Sequence, residues 1–188
     1  IRDSLGAAFG SSGERCMALS VAVAVGDEVA DLLVQKLSKS MKNLKFGAYT
    51  DSTNDFGPVI TKQHQQSVIN HISSAEKQGA NIVVDGRDAI VRGYENGFYV
   101  GGTLIDKVTP QMDSYKAEIF GPVLQIVRVE TMKDAMSLID NHEYGNGTCI
   151  FTRDGEAARY FSDHIKVGMV GVNLSLIHIS EPTRPSRI

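Results

Sequence analysis

The chain has 188 residues, of which 42% are hydrophobic and 22% charged, so it is long enough for one well-buried domain and has the composition of an ordinary globular protein. A formal net charge of −3, with lysines and arginines scattered among carboxylates, argues against a nucleic-acid-binding protein. The longest apolar run, residues 19–25, is far shorter than the roughly 20 residues that cross a bilayer, so no membrane span is predicted.

The first third of the chain predicts a helix, a strand and a second helix. Residues 1–9 have the pattern of the end of an amphipathic helix, and the β-branched run at residues 19–25 favours a buried strand. Residues 27–43 predict a helix that covers one face of a sheet. Its predicted buried side chains, at near-helical spacing, are Val29, Leu32, Leu33, Leu37 and Met41.

The middle of the chain predicts a loop over residues 51–58, a helix over residues 61–77 and a strand over residues 80–84. Gly79 is suited to ending that helix. The side chains that the helix is predicted to bury are Val68, Ile69, Ile72 and Ala75. A glycine-rich stretch, residues 86–102, is then expected to form an irregular excursion or hairpin.

The last third predicts strands over residues 99–105, 122–130, 147–152 and 169–172. Thr131 and Asp134 have the pattern of a capping box that begins a helix through Asn141, and Asp154 is suited to capping another helix. The predicted buried face of that last helix carries Ala158, Phe161 and Ile165. Repeated strand and helix predict an α/β domain with a mainly parallel sheet and flanking helices.

The two ends of the chain are expected to differ from a natural start and finish. There is no initiator Met, and the first residues already read as the end of a helix, which indicates truncation. Residues 1–173 are predicted to form one domain. Residues 174–188 contain two prolines and two arginines without periodicity, so a foreign or mis-joined tail is expected, with a natural disordered tail as the alternative.

Cys16 is the most informative residue, because a Gly/Ser turn (FGSSGERCMA) places it between a predicted helix and a predicted strand. A thiol attacks as its thiolate, which positive charge on Arg15 and the N–H groups of a tight turn would favour. The alternative is a small buried side chain, the usual role of a lone cysteine and the one expected for Cys149. Neither cysteine has a CxxC partner or a nearby His, so no disulfide framework or metal site is predicted.

A second segment, KAEIFGPV over residues 116–123, places a carboxylate, an aromatic ring and a Gly-Pro turn directly before a predicted strand. The Glu118 carboxylate is able to accept two hydrogen bonds from a ribose diol, and Phe120 to pack on a sugar or a nicotinamide ring. The alternative is an exposed turn that contributes a phenylalanine to the core.

The order and separation of these segments resemble the aldehyde dehydrogenase superfamily. GSSGERCMA is similar to its catalytic-cysteine motif, AEIFGPV to its cofactor-contacting motif, and DFGPVITKQHQQSVINHI to the segment between them. RCMA, YENGFYVGGTLI and YGNGTCIFT are most similar to the methylmalonate-semialdehyde dehydrogenase branch. The resemblance covers residues 4–173 and implies the cysteine-bearing catalytic domain of that fold.

The resemblance implies covalent catalysis by Cys16. The thiol adds to the aldehyde carbon, a hydride passes to NAD, and coenzyme A removes the acyl group from the resulting thioester. Loss of the substrate carboxylate as carbon dioxide gives propanoyl-CoA from methylmalonate semialdehyde, or acetyl-CoA from malonate semialdehyde. Arg15 matches the residue that binds the substrate carboxylate, with a structural salt bridge as the alternative. Glu118 matches the ligand of the nicotinamide ribose, and Phe120 matches the neighbouring ring contact.

The resemblance also implies what surrounds this domain. The superfamily's cofactor domain precedes the cysteine segment and is missing here, so the chain by itself is expected to be inactive. The intact relative would be a dimer or tetramer, in the cytoplasm of a bacterium or the mitochondrial matrix of a eukaryote, with no metal, nucleic-acid or membrane partner. Two alternatives remain: a hydrolytic aldehyde dehydrogenase, in which water attacks the thioester, and a non-catalytic fragment that keeps the fold.

Overall fold

The computed structural model describes residues 2–175, so most of the tail predicted over residues 174–188 lies outside the described residues. The helices are α1 (Arg2–Phe9), α2 (Asp27–Met41), α3 (Lys62–Lys77), α4 (Asp113–Lys116), α5 (Met132–Asp140) and α6 (Gly155–His164). The strands are β1 (Val21–Val25), β2 (Asn81–Val84), β3 (Thr103–Asp106), β4 (Val123–Val129), β5 (Gly147–Ile150) and β6 (Met169–Val172). None of these helices is both long enough and apolar enough to cross a bilayer.

Four of the strands form one sheet in the order β1-β4-β3-β2. Both β1 and β3 run parallel to β4, whereas β2 runs antiparallel to β3. The remaining strands, β5 and β6, form a parallel pair of their own. Helices flank these sheets, and parallel pairings predominate among the described strands. The predicted α/β class with a mainly parallel sheet is therefore confirmed.

The β4 strand separates two apolar clusters, and its side chains alternate between them. Val123 and Val127 pack in one cluster with α3, whereas Leu124 and Ile126 pack in the other with α1 and α2. This period of two is expected of a strand that is covered on both faces. A third cluster, around Phe161 of α6, packs against the β5–β6 pair.

Two helix starts follow the local sequence as predicted. The Thr131 side chain accepts a hydrogen bond from the N–H of Asp134, and the Asp134 carboxylate accepts one from the N–H of Thr131, which completes the capping box. The Asp154 carboxylate accepts hydrogen bonds from the N–H groups of Glu156 and Ala157 at the start of α6. These contacts satisfy N–H groups that have no partner within the helix.

The predicted buried face of α2 is partly wrong. Val29 and Leu32 are 55% and 50% exposed, whereas Leu37 and Met41 are buried as predicted. The side chain that continues the buried stripe toward the start of the helix is Ala30, which is fully buried. Ala30, Leu37 and Met41 lie on one side of a helix of about 3.6 residues per turn. A small residue at this point lets α2 approach the sheet closely, which leaves its larger neighbours facing outward.

Two further differences lie before β4. The strand predicted over residues 99–105 begins only at Thr103, because the N–H of Gly101 donates to the carbonyl of Gly86 outside the strand pairing, at 2.8 Å. The four-residue helix α4 is not predicted by the sequence pattern. One turn is too short to show a helical period, and tertiary contacts decide whether it forms.

Candidate active site

Cys16 lies in the cysteine loop (residues 10–18), between α1 and β1. Ser11 and Ser12 adopt left-handed backbone angles, with φ of 52° and 58°, and Gly13 follows with φ of 72°. The left-handed conformation is costly for a residue that carries a Cβ. The loop therefore depends on contacts with other segments to keep this path.

A turn between Arg15 and Ala18 presents Cys16 at the surface. The N–H of Ala18 donates to the carbonyl of Arg15 at 3.0 Å, and the Cys16 side chain is exposed. Nε of Arg15 donates to Oγ of Ser11 at 3.0 Å. Across residues 4–175, whose side chains the structure describes, no carboxylate forms an ion pair with Arg15. The salt bridge considered as the structural role of Arg15 is therefore not found in this part of the chain.

The second candidate segment is the Phe120 loop (residues 117–122), between α4 and β4. Phe120 has a left-handed φ of 51° and is 37% exposed. Glu118 is also exposed, whereas Ile119 between them is buried and anchors the loop in the core. The loop therefore presents a carboxylate and an aromatic ring at the surface.

The two loops are packed directly against each other. A Cβ on Gly13 would overlap the carbonyl oxygen of Gly121, and a Cβ on Gly121 would lie 2.6 Å from a methyl carbon of Val68 in α3. On the other side, Oγ of Ser12 donates to the carbonyl of Gly57 at 2.7 Å. Glycine is thus required where the loops meet, and the fold brings the segments of Cys16 and Phe120 together.

His64, near the start of α3, joins the two loops through polar contacts. Its Nε2 lies 2.7 Å from the carbonyl oxygen of Phe120 and 3.5 Å from Oε1 of Glu14. Because a carbonyl only accepts hydrogen bonds, Nε2 carries the proton in the first contact. The Glu14 side chain is only 9% exposed and also accepts a hydrogen bond from the N–H of Ile60 at 3.4 Å.

Burial raises the pKa of the Glu14 carboxyl above its ordinary value of 4.5, although the N–H of Ile60 and the charge of His64 act in the opposite direction. The folded protein therefore binds this proton more tightly than the unfolded chain does. The stability that this difference in proton binding contributes is fully present below pH 4.5, where Glu14 is protonated in both states. It is lost as pH rises through the pKa of Glu14 in the folded protein. We expect Glu14→Gln to gain stability relative to the parent protein across that interval and to hold the gain at higher pH.

The measurement is the unfolding midpoint of both proteins as a function of pH. Glu130→Gln is the matched control, since Glu130 is an exposed carboxylate at the end of β4. It shows how much of the difference follows from removing an exposed carboxylate of the same type. A Glu14→Gln difference that falls as pH rises would contradict the direction assigned to this carboxyl.

Glu14, His64 and Asn146 are polar residues at the site for which the sequence analysis assigns no role. The His64 contact with Phe120 spans 56 positions, and a hydrogen bond from Asn146 to Cys16 spans 130. Each residue lies within a quoted motif, which is the only signal that the sequence offers for it. Within residues 2–175, no group of three or more His, Cys, Asp or Glu side chains is arranged to hold a metal ion.

Comparison with known proteins gives close sequence relatives. The aldehyde dehydrogenase family model matches residues 1–184. The malonate-semialdehyde dehydrogenase of Pseudomonas aeruginosa is 61% identical over 172 residues, which are 92% of this chain and 35% of that protein. The human mitochondrial methylmalonate-semialdehyde/malonate-semialdehyde dehydrogenase, named as acylating, is 48% identical over 170 residues, or 90% of this chain and 31% of that protein. The chain spans about a third of the length of these relatives.

Solved structures have the same fold over nearly the whole chain. The crystal structure of methylmalonate-semialdehyde dehydrogenase from Oceanimonas doudoroffii superimposes with a TM-score of 0.91 at 72% identity and covers 93% of this chain and 36% of that one. A Sinorhizobium meliloti protein assigned as a methylmalonate-semialdehyde dehydrogenase, complexed with NAD, gives a TM-score of 0.91 at 54% identity, with 93% of this chain and 35% of that chain covered.

Proposed function

Because the chain belongs to the aldehyde dehydrogenase family, we propose that residues 1–173 are the catalytic domain of an NAD-dependent, CoA-acylating semialdehyde dehydrogenase. The substrates are malonate and methylmalonate semialdehyde, after which its relatives are named. The observation that carries the proposal is the packing of the cysteine loop on the Phe120 loop. Through Gly13 and Gly121, the loop that carries an exposed thiol contacts the loop that presents a carboxylate and an aromatic ring, which supports a shared site.

Cys16 is the proposed nucleophile. Its Sγ forms a bond with the aldehyde carbon, and a thioester on Sγ remains after that carbon has lost a hydride. Bound NAD supplies the hydride acceptor. The thiol of coenzyme A then attacks the thioester carbon, which breaks the bond to Sγ and frees Cys16. The substrate carboxylate leaves as carbon dioxide, so malonate semialdehyde, CoA and NAD give acetyl-CoA, carbon dioxide and NADH.

Arg15 is proposed to bind the substrate carboxylate. It is adjacent to Cys16 in sequence, it is exposed, and its guanidinium has no carboxylate partner among the side chains of residues 4–175. A guanidinium suits a carboxylate because its planar N–H groups make two parallel hydrogen bonds. Its hydrogen bond to Ser11 keeps the side chain within the cysteine loop, beside the proposed nucleophile.

Glu118 and Phe120 have the chemistry to hold the nicotinamide end of NAD. The Glu118 carboxylate is exposed and able to accept hydrogen bonds from the two ribose hydroxyls, and the exposed Phe120 ring offers an apolar surface to the sugar or the nicotinamide. Both lie on a loop that is packed against the one carrying Cys16. The intact enzyme would hold the remainder of the cofactor in a domain that precedes this one.

The proposal includes the setting of the intact enzyme. It would be a homodimer or homotetramer that takes a small semialdehyde, with coenzyme A as co-substrate. The bacterial and mitochondrial relatives support a cytoplasmic location if the source is bacterial and a matrix location if it is eukaryotic.

The test is to follow NADH formation from malonate semialdehyde by the complete enzyme, with and without coenzyme A. We expect steady turnover only when coenzyme A is present, because the thioester on Cys16 otherwise accumulates, and acetyl-CoA should be identified by mass. Methylmalonate semialdehyde, tested in parallel, should give propanoyl-CoA. NADH formation that is indifferent to coenzyme A and yields a free acid would instead establish hydrolysis by water. Absence of turnover with either semialdehyde would refute the proposed substrate class.

A further inference from the structure

Asn146 lies directly before β5, within the YGNGTCIFT segment, and has no part in the chemistry proposed above. Its side-chain Nδ2 lies 2.8 Å from the carbonyl oxygen of Cys16 and 3.0 Å from Sδ of Met17. The hydrogen bond therefore connects the segment before the β5–β6 pair to the peptide of the proposed nucleophile. An amide N–H is a good donor for a carbonyl at this distance, whereas the thioether sulfur is a weaker acceptor.

The backbone on either side of Asn146 is held independently of Cys16. The N–H of Gly168 donates to the carbonyl of Gly145 at 2.8 Å, which joins the segments that lead into β5 and β6. A Cβ on Gly168 would lie 2.8 Å from the carbonyl oxygen of Asn146, so the two backbones approach closely. The backbone of Asn146 is thus fixed by the contacts between the segments that lead into β5 and β6, while its side-chain amide reaches the cysteine loop.

The cysteine loop needs such an anchor beside Cys16. The other contacts of this loop with distant segments, made by Ser12, Gly13 and Glu14, lie before Arg15 in sequence. The next backbone hydrogen bond after Cys16 to a segment outside the loop runs from the N–H of Leu19 to the carbonyl of Ala7, at 3.0 Å. A hydrogen bond to the Cys16 carbonyl restrains rotation of the peptide that follows the cysteine. That rotation would move the Cys16 Cβ and Sγ relative to the rest of the site.

We propose that Asn146 is a positioning residue, which holds the Cys16 peptide through its amide so that Sγ is directed at the aldehyde carbon. The inference rests on the proposed role of Cys16 as the nucleophile. In the proposed arrangement Asn146 touches neither substrate nor Sγ, so it affects the orientation of the thiol rather than its reactivity. Misplacing a reacting group by about 1 Å can reduce a rate on the order of 100-fold.

The test uses the complete enzyme with Asn146→Leu, which keeps much of the side-chain volume but has no donor, and Asn146→Asp, which keeps the shape but only accepts when ionised. We expect kcat with malonate semialdehyde to fall about 10- to 100-fold in both, with KM for NAD changed by less than about twofold. The rate at which iodoacetamide alkylates Cys16, measured on its peptide with Cys149 as the internal reference, should change by less than about threefold. This small reagent needs an exposed thiol rather than an oriented one.

The Asn146→Asp variant adds a pH-dependent readout, which separates positioning from loss of stability when the alkylation rate and the unfolding midpoint stay at the parent values. A protonated Asp carboxyl is able to donate to the Cys16 carbonyl, so the ratio of variant to parent kcat should rise as pH falls toward about 5. The matched control is Asn141→Leu, which removes a similar side-chain amide bond to the Ser137 carbonyl (2.8 Å) at the end of α5. Its kcat should stay within about twofold of the parent value.

Three outcomes separate this inference from the proposed function. Turnover that survives Cys16→Ala would refute the nucleophile and with it the premise. Turnover lost in Cys16→Ala but at the parent level in Asn146→Leu and Asn146→Asp would overturn the positioning role alone. A fall in kcat that is matched by an equal fall in the alkylation rate and a lower unfolding midpoint would likewise overturn it, because the residue would then act only on stability.

Discussion

Replacing Cys16 by alanine is expected to reduce NADH formation by the complete enzyme by at least about 10⁴-fold, because no other group at the site replaces the bond between Sγ and the aldehyde carbon. The Cys16 side chain is exposed, so alanine removes only the thiol. The unfolding midpoint should remain close to that of the parent protein. The first measurement is kcat/KM. The second is the mass of the peptide that contains residue 16 after incubation with semialdehyde and NAD in the absence of coenzyme A. Only the peptide of the parent protein should carry an acyl group.

Cys149→Ala is the control for this substitution. Cys149 is half-buried in β5, and the proposed chemistry gives it no role. Its variant should keep turnover within about threefold of the parent value, with a modest loss of stability from the missing sulfur. An acyl group found on the Cys149 peptide would assign the nucleophile to Cys149, whereas turnover that persists in Cys16→Ala would remove Cys16 from the mechanism.

Gly13→Ala is expected to destabilise the protein by about 2–5 kcal/mol and to reduce turnover with it. The backbone at Gly13 has φ of 72°, which is costly for alanine, and the new Cβ would overlap the carbonyl oxygen of Gly121. Relief of that overlap requires the cysteine loop and the Phe120 loop to separate. KM for NAD should therefore rise as kcat falls, because Glu118 and Phe120 move relative to Cys16. Denaturant unfolding and steady-state kinetics measure the two effects.

Gly93→Ala is the control that separates two destabilising effects, the left-handed backbone angle and the overlap of the new Cβ with a neighbouring atom. Gly93 has φ of 83°, but a Cβ there would have no neighbouring atom within 4 Å. This variant should lose only about 1–2 kcal/mol and keep normal kinetics. If the free energy of unfolding fell no more in Gly13→Ala than in Gly93→Ala, the tight packing of the two loops would not be present in solution.

Much of the secondary structure could be predicted because it depends on neighbouring residues. The capping box of Thr131 and Asp134 closes within one helical turn, and Asp154 caps α6 in the same way. The apolar alternation of β4 and the buried positions Val68 and Ile72 of α3 follow from the periods of a strand and a helix. These signals are short-range, so they are present in the chain before any tertiary contact forms.

The exposure of Val29 and Leu32 shows that periodicity alone does not identify which face of α2 is buried. Periodicity indicates that one side of α2 is apolar, but several apolar stripes overlap on this helix, and Ala30 belongs to the one that is buried. The rotation of a helix about its axis depends on the shape of the sheet surface beneath it, because close packing favours the side chain that fits. The same holds for α4, whose single turn is stabilised by tertiary contacts rather than by its own sequence.

The sequence by itself determined which segments carry the proposed chemistry: Cys16 lies in a Gly/Ser turn, and Glu118 and Phe120 lie directly before a strand. Residue types and their order are sufficient to recognise such motifs. Only the tertiary structure decided that Gly13 meets Gly121 and that His64 links Glu14 to the Phe120 carbonyl. The same is true of the Asn146 amide, which holds the Cys16 carbonyl. Contacts between distant segments depend on the path of the whole chain, because parallel strands joined through helices bring their loops to one edge of the sheet.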